Sequence, residues 1–370
     1  VSLEPGRKMS LGLRIVEMSE AVQATEAAHV ARELEADPRI EAVTPNYRVS
    51  AAVIPSSAAN PADPYFRSSA LWGLNGTYGI DAPSVWAVTA GVPSVVVAVL
   101  DTGIQSHPDL AASSQVAGFD MIADIDGAND GDGRDADPTD PGDGVTSYES
   151  ADAGSGYYGC DPKPSSWHGT HVAGTINATN GNGIGVSSVA PGVKIQSVRV
   201  LGKCDRGTLD DLIDGIAWAS GALVPGVAMN SNPAHVINMS LGFGTSCNQI
   251  MQSAIDAAVV RGTTVIVAAG NETVNASLVS PAGCDKVVTV GATTPQGKRA
   301  SFSNYGSRVD LAAPGEGILS TFNAGTHAPG APRYQSRDGT SMAAPHVAGL
   351  AALVKSVNPG LSPAQVEARP

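Results

Sequence analysis

The sequence predicts an α/β protein: a doubly wound, mostly parallel sheet with helices on both faces, preceded by a smaller α+β piece. Two observations carry this. From about Leu71 onward, short apolar runs alternate with longer segments of helical periodicity. The apolar runs are nearly continuous, as expected of strands covered on both faces. Alternation of strand and helix favours a parallel sheet wound on its two sides.

The elements follow in order. Residues 10–50 stand apart. LGLRIVEMS alternates like a strand. EAVQATEAAHVARELEAD places Val22, Val30 and Leu34 on one helical row beside Ala27, with Glu26 interrupting it. RIEAVTPNYRVS reads as a further strand. A linker rich in Ala, Ser and Pro follows, AAVIPSSAANPADP. Five runs then read as buried strands: VPSVVVAVLD, KIQSVRVL, HVINMSL, TVIVAAGN and KVVTVGA. Between and after them, HGTHVAGT, TLDDLIDGIAWAS, NQIMQSAIDAAVVRG and SMAAPHVAGLAALVKS read as helices, with Gly262 as the C-cap of the third. No internal repeat is evident.

Composition narrows the function. With 370 residues, 42% apolar and only 15% charged, the chain suits one large α/β domain plus a small one. A net charge of -13 argues against a nucleic-acid partner. No apolar run reaches membrane-spanning length, so no membrane partner is expected. Acid is concentrated from Asp120 to Asp143, opposed by Arg134 alone. A solvated loop and a hard-cation site both explain that patch. Four cysteines suit two disulfides in an exported protein, but they permit three pairings. No C-x-x-C or Cys/His metal spacing occurs. Residue 1 is Val, and VSLEPGRKMS is not a charged-then-apolar leader, so the true N-terminus is expected upstream. LSPAQVEARP stops as a helix begins, so the C-terminus is expected to be clipped as well.

In open α/β sheets, working residues collect at the carboxyl ends of strands. Asp101 ends VVVAVL, Ser240 and Gly242 follow HVINM, Asn271 follows VIVAA and Gly270, and His168 opens HGTHVAGT. Ser341 heads GTSMAAPHVAG, where an N-cap is the commoner role for a serine. A proline one turn in, Pro345, is tolerable where helix N–H groups lack partners, and such groups also favour negative charge. The chemistry that needs this set is acyl transfer. A serine hydroxyl requires a base, an imidazole serves near neutral pH, and a carboxylate holds its tautomer. The oxyanion needs preorganised donors, here the Ser341 N–H and the Asn271 amide. His171 competes with His168, but the helix head favours His168 and leaves His171 a packing role. His29, His107, His235, His327 and His346 read as structural or exposed.

Other classes fit less well. DTG also occurs at acid-protease sites, but that reading requires an all-β chain with a second aspartate motif. A nucleotide-binding fold needs G-x-G-x-x-G after its first strand, and LDTGIQSHP does not supply it. A catalytically silent binding module would lack a triad member, and none is missing.

VAVLDTGI, WHGTHVAGT, NMSLG, VAAGNE and DGTSMAAPHVAGLAAL resemble the subtilisin-like serine proteases, in that family's order Asp, His, Asn, Ser, from roughly Asp63 to the end. The resemblance implies a subtilisin-like fold and a secreted serine endopeptidase. Ser341 would be nucleophile, His168 base, Asp101 orienting acid and Asn271 oxyanion donor. Residues 1–50 resemble the second half of the family's propeptide, an intramolecular chaperone and inhibitor. Processing is expected between Ser50 and Ala59, within a linker 51–62 that precedes a peptidase domain 63–370. The chain would then be a zymogen fragment and a monomer.

The same resemblance implies that peptide binds as an added strand. Its walls would be LGKCDRGTL, with Leu201, Gly202, Gly207 and Leu209, and SLGFG, with Ser240, Leu241 and Gly242, beside Ala269 and Gly270. Phe243 stands where many relatives have a second glycine. Few charges near these walls suggest broad specificity with an apolar or aromatic preference. Calcium is the implied ion, at one or two sites. The first would use Asp63, Asp109 and Asn182 with the carbonyls of Asn180, Ile184 and Val186. The second would use Asp120, Asp135 and Asp137, with Asp124, Asp130 and Asp132 able to share or replace them. No EF-hand loop is present. The cysteine spacing suggests Cys160–Cys204 and Cys247–Cys284, without excluding the other pairings.

Overall fold

The computed structural model describes residues 3–8, 14–19, 24–40, 43 and 61–368. They fall into two compact units, divided between Ile54 and Pro55. In the first, strands β1 (Leu3–Lys8) and β2 (Arg14–Met18) pair antiparallel, with Pro5 opposite Val16. Pro5 lacks an N–H, which a two-stranded ribbon tolerates because both its strands are edges. Alternation signalled β2; β1 has Leu3 as its only aliphatic side chain and gave no such signal. The helix Ala24–Glu35 keeps Ala27, Val30 and Leu34 half-buried, while Glu26, His29 and Glu33 are exposed. Val22, residues 51–60 and most of the strand expected over 39–50 lie outside the described residues.

The second unit holds a seven-stranded sheet of β3 (Val96–Asp101), β4 (Gln115–Asp120), β5 (Lys194–Arg199), β6 (Val236–Met239), β7 (Thr264–Ala268), β8 (Val288–Thr293) and β9 (Leu311–Pro314). Their order is β4-β5-β3-β6-β7-β8-β9, and every pair is parallel. The chain enters mid-sheet at β3, passes to the edge strand β4, fills the gap with β5, then crosses β3 to build the other side outward from β6. That reversal is a topological switch point, where crevices open beyond the strand ends. The five expected buried runs are β3, β5, β6, β7 and β8.

Each strand feeds two cores because its side chains alternate between faces. Val97, Val99, Val236, Ile266 and Val290 pack with the helices His168–Asn177 and Thr340–Val357. Val96, Ala98, Leu100, Ile237 and Val267 pack on the other face with Leu209–Ala219 and Gln249–Val260. Small side chains at Ala343, Ala344, Ala348 and Ala352, all buried, let the long helix lie close against the sheet. The C-cap of the helix Gln249–Val260 is Arg261, not the expected Gly262, which adopts a φ of 93° one residue beyond the observed cap. The edge strands β4 and β9 gave no clear signal, being interrupted by Gly118 or only four residues long. The hairpin of β10 (Ile318–Asn323) and β11 (Pro332–Arg337) was missed because β11 is largely polar.

Two disulfides, Cys160–Cys204 and Cys247–Cys284, close with the expected pairing. Among the described residues, no helix is long and apolar enough to cross a membrane.

Candidate active site

Asp101 is the last residue of β3 and is fully buried. His168 opens a helix whose preceding residue, Trp167, holds an αL conformation at φ 47° and ψ 35°. That backbone is costly for a bulky residue. Trp167 is held there by complete burial and an indole N–H bond to the Gly325 carbonyl at 2.8 Å. The next residue must be small: a methyl built on Gly169 would lie 2.2 Å from the Gly103 carbonyl oxygen. The helix head therefore sits directly on the end of β3. His168 Nδ1 lies 2.8 and 2.9 Å from the two oxygens of Asp101. Thr102 ties the pair together, its N–H bonding Asp101 at 2.8 Å and its hydroxyl accepting from Gly169 N–H at 3.1 Å. That hydroxyl donates to buried Asp140 at 2.7 Å.

Burial is the largest influence on the His168 pKa and would lower it, but the Asp101 charge and the hydrogen bond to Asp101 together outweigh it and the net shift is upward. His171 shows the opposite outcome. Burial, with lesser contributions from Arg337 and His168, pulls it down to about 3. Its Nε2 lies 3.0 Å from the carbonyls of Ile318 and Gln335, so it is a neutral donor locked in the core. The geometry brings His168, not His171, to the carboxylate.

Ser341 is not an N-cap. Gly339 occupies the cap position, and Ser341 is the second residue of the helix. Its hydroxyl donates to the Ser240 carbonyl at 3.0 Å, not to His168. Pro345 lies beyond the first turn, so it does remove a helical hydrogen bond, contrary to the sequence expectation. Asn271, three residues past β7, accepts from Thr340 N–H at 2.8 Å and from its hydroxyl at 3.0 Å through Oδ1. Its Nδ2 makes no hydrogen bond among the described residues. A methyl built on Gly339, whose φ is 151°, lies 3.6 Å from both Asn271 Nδ2 and Ser341 N. Two donors thus border one small space that glycine leaves open.

Sequence reasoning missed the residues that hold these groups. Thr340 fixes Asn271 and also accepts from Gly270 N–H at 3.0 Å. Buried Asn304 binds the Ala269 carbonyl at 2.8 Å and Glu272 at 2.7 Å, setting the loop after β7. Thr102, Asp140 and Asn304 are polar side chains whose partners are distant in sequence. A DTG or GTS block hints at Thr102 and Thr340; nothing local hints at Asp140 or Asn304.

The expected substrate walls flank these groups. Leu201 N–H bonds the Asp101 carbonyl at 3.1 Å, and Gly202 N–H bonds that of Arg206 at 2.8 Å. The wall is less neutral than expected: Lys203 pairs with Glu149 and Asp205 with Lys163. Leu209 begins the helix on the far side of Gly207. Across the site, Leu241 and Phe243 pack partly against the second core, and Gly242 is exposed between them. Phe243 exchanges backbone bonds with Ser280 at 2.9 and 3.0 Å. Ala269 is buried and Gly270 takes a φ of 98°.

Of the expected calcium ligands, Asp63 and Asp109 converge on one loop. Both are fully buried. Asp63 accepts from Gly181 N–H at 2.8 Å, Gly183 N–H at 3.1 Å and the Ser187 hydroxyl at 2.6 Å. Asp109 accepts from the Asn182 amide at 2.7 Å and Val186 N–H at 2.8 Å. Burial raises the Asp109 pKa, and Asp63 adds to the effect. The Asn180 amide turns inward to Ser188, and Ile184 N–H bonds Asn182. The second set does not assemble as expected. Asp120 is buried against Arg199, which also pairs with Asp130. Burial pushes Asp120 up to about 7. Asp130, Asp132, Asp135 and Asp137 instead line a surface pocket with Thr139. Asp124 caps a short helix through Gly127 N–H. Among the described residues, no group of three or more His, Cys, Asp or Glu side chains is arranged to hold a metal ion.

Fold and site define an α/β protein with serine, histidine and aspartate at the carboxyl edge of a parallel sheet. The model of the subtilase family matches residues 93–369. The chain is 46% identical over 369 residues to an extracellular protease of Xanthomonas campestris pv. campestris, covering 99% of this chain and 61% of that protein. It is 44% identical over 368 residues to an extracellular basic protease of Dichelobacter nodosus, covering 97% and 58%. It therefore spans less than two thirds of either relative. A solved protease structure from Pseudoalteromonas arctica PAMC 21717 is similar at a TM-score of 0.78 and 46% identity, covering 84% of this chain and 91% of that one. The chain belongs to the subtilase family.

Proposed function

We propose that this chain is a secreted serine endopeptidase that works through an acyl-enzyme. The observation carrying the proposal is the Asp101–His168 pair at 2.8 and 2.9 Å, set beside a helix whose first turn presents Ser341. In the reaction, Ser341 Oγ exchanges its bond to the Ser240 carbonyl for one to His168 Nε2. It then attacks the scissile carbonyl carbon as its proton passes to Nε2. Asp101 holds the Nδ1–H tautomer and supports the imidazolium. The oxyanion is received by Ser341 N–H and Asn271 Nδ2, whose convergence at Gly339 supports this role. His168 returns the proton to the leaving amine, and water releases the acyl group by the reverse route.

Peptide lies between Leu201–Leu209 and Ser240–Phe243 as an added strand. Apolar packing of Leu241 and Phe243 supports an apolar or aromatic preference. The N-terminal unit acts as an inhibitor and folding aid, removed by cleavage in the linker after Ser50, and the enzyme is a monomer. Calcium fits the Asp63–Asp109 loop. It holds two buried carboxylates whose hydrogen-bond donors are all neutral, together with an oxygen-rich turn over 180–186. There it would neutralise the paired carboxylates and fix the turn. No second ion is proposed at Asp120, whose carboxylate is paired with Arg199.

A serine-directed phosphonate tests the catalytic assignment. An adduct on Ser341 of processed protein, absent in Ser341→Ala, is the expected result. Processed protein that leaves Ser341 unmodified while cleaving peptide would overturn it.

A further inference from the structure

We propose that Ser240 is a positioning residue for the nucleophile, supplying the hydrogen bond that Pro345 denies to the Ser341 carbonyl. This rests on the reading of Ser341 as nucleophile.

In an α-helix, the carbonyl of residue i accepts from the N–H of residue i+4. The partner due to Ser341 is residue 345, inside the helix Thr340–Val357, and it is a proline without an N–H. The missing donor is replaced from the sheet. Ser240 Oγ lies 2.8 Å from the Ser341 carbonyl oxygen. Ser240 immediately follows β6, and the two-residue period places it on the same face as Val236, toward the Ser341 helix.

The contact is reciprocal. Ser341 Oγ donates to the Ser240 carbonyl at 3.0 Å while Ser240 Oγ donates to the Ser341 carbonyl. One residue is thus both the resting place of the reactive hydroxyl and the anchor of its backbone. The anchor is itself held. Asn238, fully buried in β6, places Nδ2 2.9 Å from Ser240 Oγ. A serine hydroxyl has one proton, and here it is committed to the Ser341 carbonyl, so Asn238 must be the donor. Among the described residues Asn238 Oδ1 has no partner of its own, a cost that a purely packing residue would not retain. The chain Asn238 → Ser240 → Ser341 ties the centre of the sheet to the turn whose N–H and Oγ perform the chemistry.

The proline makes this separable from a merely structural role. Pro345→Ala restores an N–H that can satisfy the Ser341 carbonyl without Ser240. The test is a double-mutant cycle on protein expressed as the full chain and then processed, using a chromogenic peptide and active-site titration. With Pro345 present, Ser240→Ala is expected to lower kcat about three- to tenfold, the loss of one ordinary hydrogen bond, with KM changed by less than about twofold. In the Pro345→Ala background, the same substitution is expected to change kcat by less than about twofold. Equal losses in both backgrounds overturn the proposal, as does no loss with Pro345 present. Equal melting temperatures for parent and Ser240→Ala would mark the loss as one of positioning; a kcat loss that follows the active fraction in titration marks misfolding and overturns it. Failure of phosphonate to label Ser341 in the parent would instead bring down the nucleophile assignment on which this rests.

Discussion

Both carboxylate oxygens of Asp101 address a single nitrogen of His168, at 2.8 and 2.9 Å from Nδ1. The carboxylate can only accept, so the proton resides on Nδ1 and Nε2 is left as the basic nitrogen. Asp101→Asn keeps the shape but offers an N–H toward Nδ1, favouring the wrong tautomer. Turnover is expected to fall by a factor on the order of 10⁴, the scale known for serine proteases including subtilisins, with KM near the parent value. Steady-state kinetics on titrated enzyme checks this; a loss under tenfold would contradict the role.

The raised pKa of His168 fixes the acid limb of the pH profile. The base must be neutral, so kcat/KM should rise with pH through an apparent value above the ordinary imidazole figure of about 6.5. The same pairing contributes stability in full below that unfolded-state value and loses it as pH rises through the folded one. Asp101→Asn should move the limb toward lower pH. A limb at or below the ordinary value in the parent would refute the electrostatic reading.

In the proposed reaction Asn271 would use both ends of its amide. Asn271→Ala should reduce kcat by about 10²–10³, a magnitude established on subtilisins themselves, while KM changes little. Because Oδ1 also caps Thr340 N–H, a melting-temperature loss equivalent to about 1 kcal/mol should accompany it. Loss of affinity without loss of kcat would assign Asn271 to ground-state binding.

His346 is a buried histidine that no step of the proposed catalysis uses. Burial lowers its pKa to about 4, despite the Nδ1 bond to the Met342 carbonyl at 2.9 Å. A depressed histidine contributes stability above its unfolded value of about 6.5 and loses it as pH falls toward the folded one. Urea titrations from pH 6.5 down to 4 should therefore show His346→Gln losing less stability than the parent. The difference in slope should approach about 1.4 kcal/mol per pH unit. Parallel curves would show that His346 is not part of the acid response.

Chelation should destabilise the protein through the Asp63–Asp109 loop. Calcium at a hundred times its dissociation constant would add about 2.7 kcal/mol. Melting in calcium and in chelator should differ accordingly in the parent, and hardly at all in Asp109→Asn. A calcium response that survives in Asp109→Asn would place the ion elsewhere.

The five inner strands were legible because a strand covered on both faces must be apolar throughout, as Val96 to Leu100 are. The edges were not. Gln115–Asp120 and Leu311–Pro314 face neighbours on one side only and need no such run. The site was legible as blocks: Asp101, His168, Asn271 and Ser341 each sit at an element end with a recognisable surround. What escaped was the buried polar framework of Asp140 and Asn304. Such residues bond to partners brought close only by the fold, and their own neighbours in sequence carry no trace of it. Asp120 shows the same limit in reverse, since nothing around it in the chain announces Arg199.

The groups assigned to catalysis gather at the carboxyl edge of the parallel sheet, whereas the helix Gln249–Val260, which joins the parallel strands β6 and β7, runs back to the amino edge. Val260, at the end of that helix, is exposed. A tether joined through that position would fix the molecule to a bead or surface with its cleft turned to the bulk solution. Solid-supported use needs that orientation, and the parallel run of the strands supplies it.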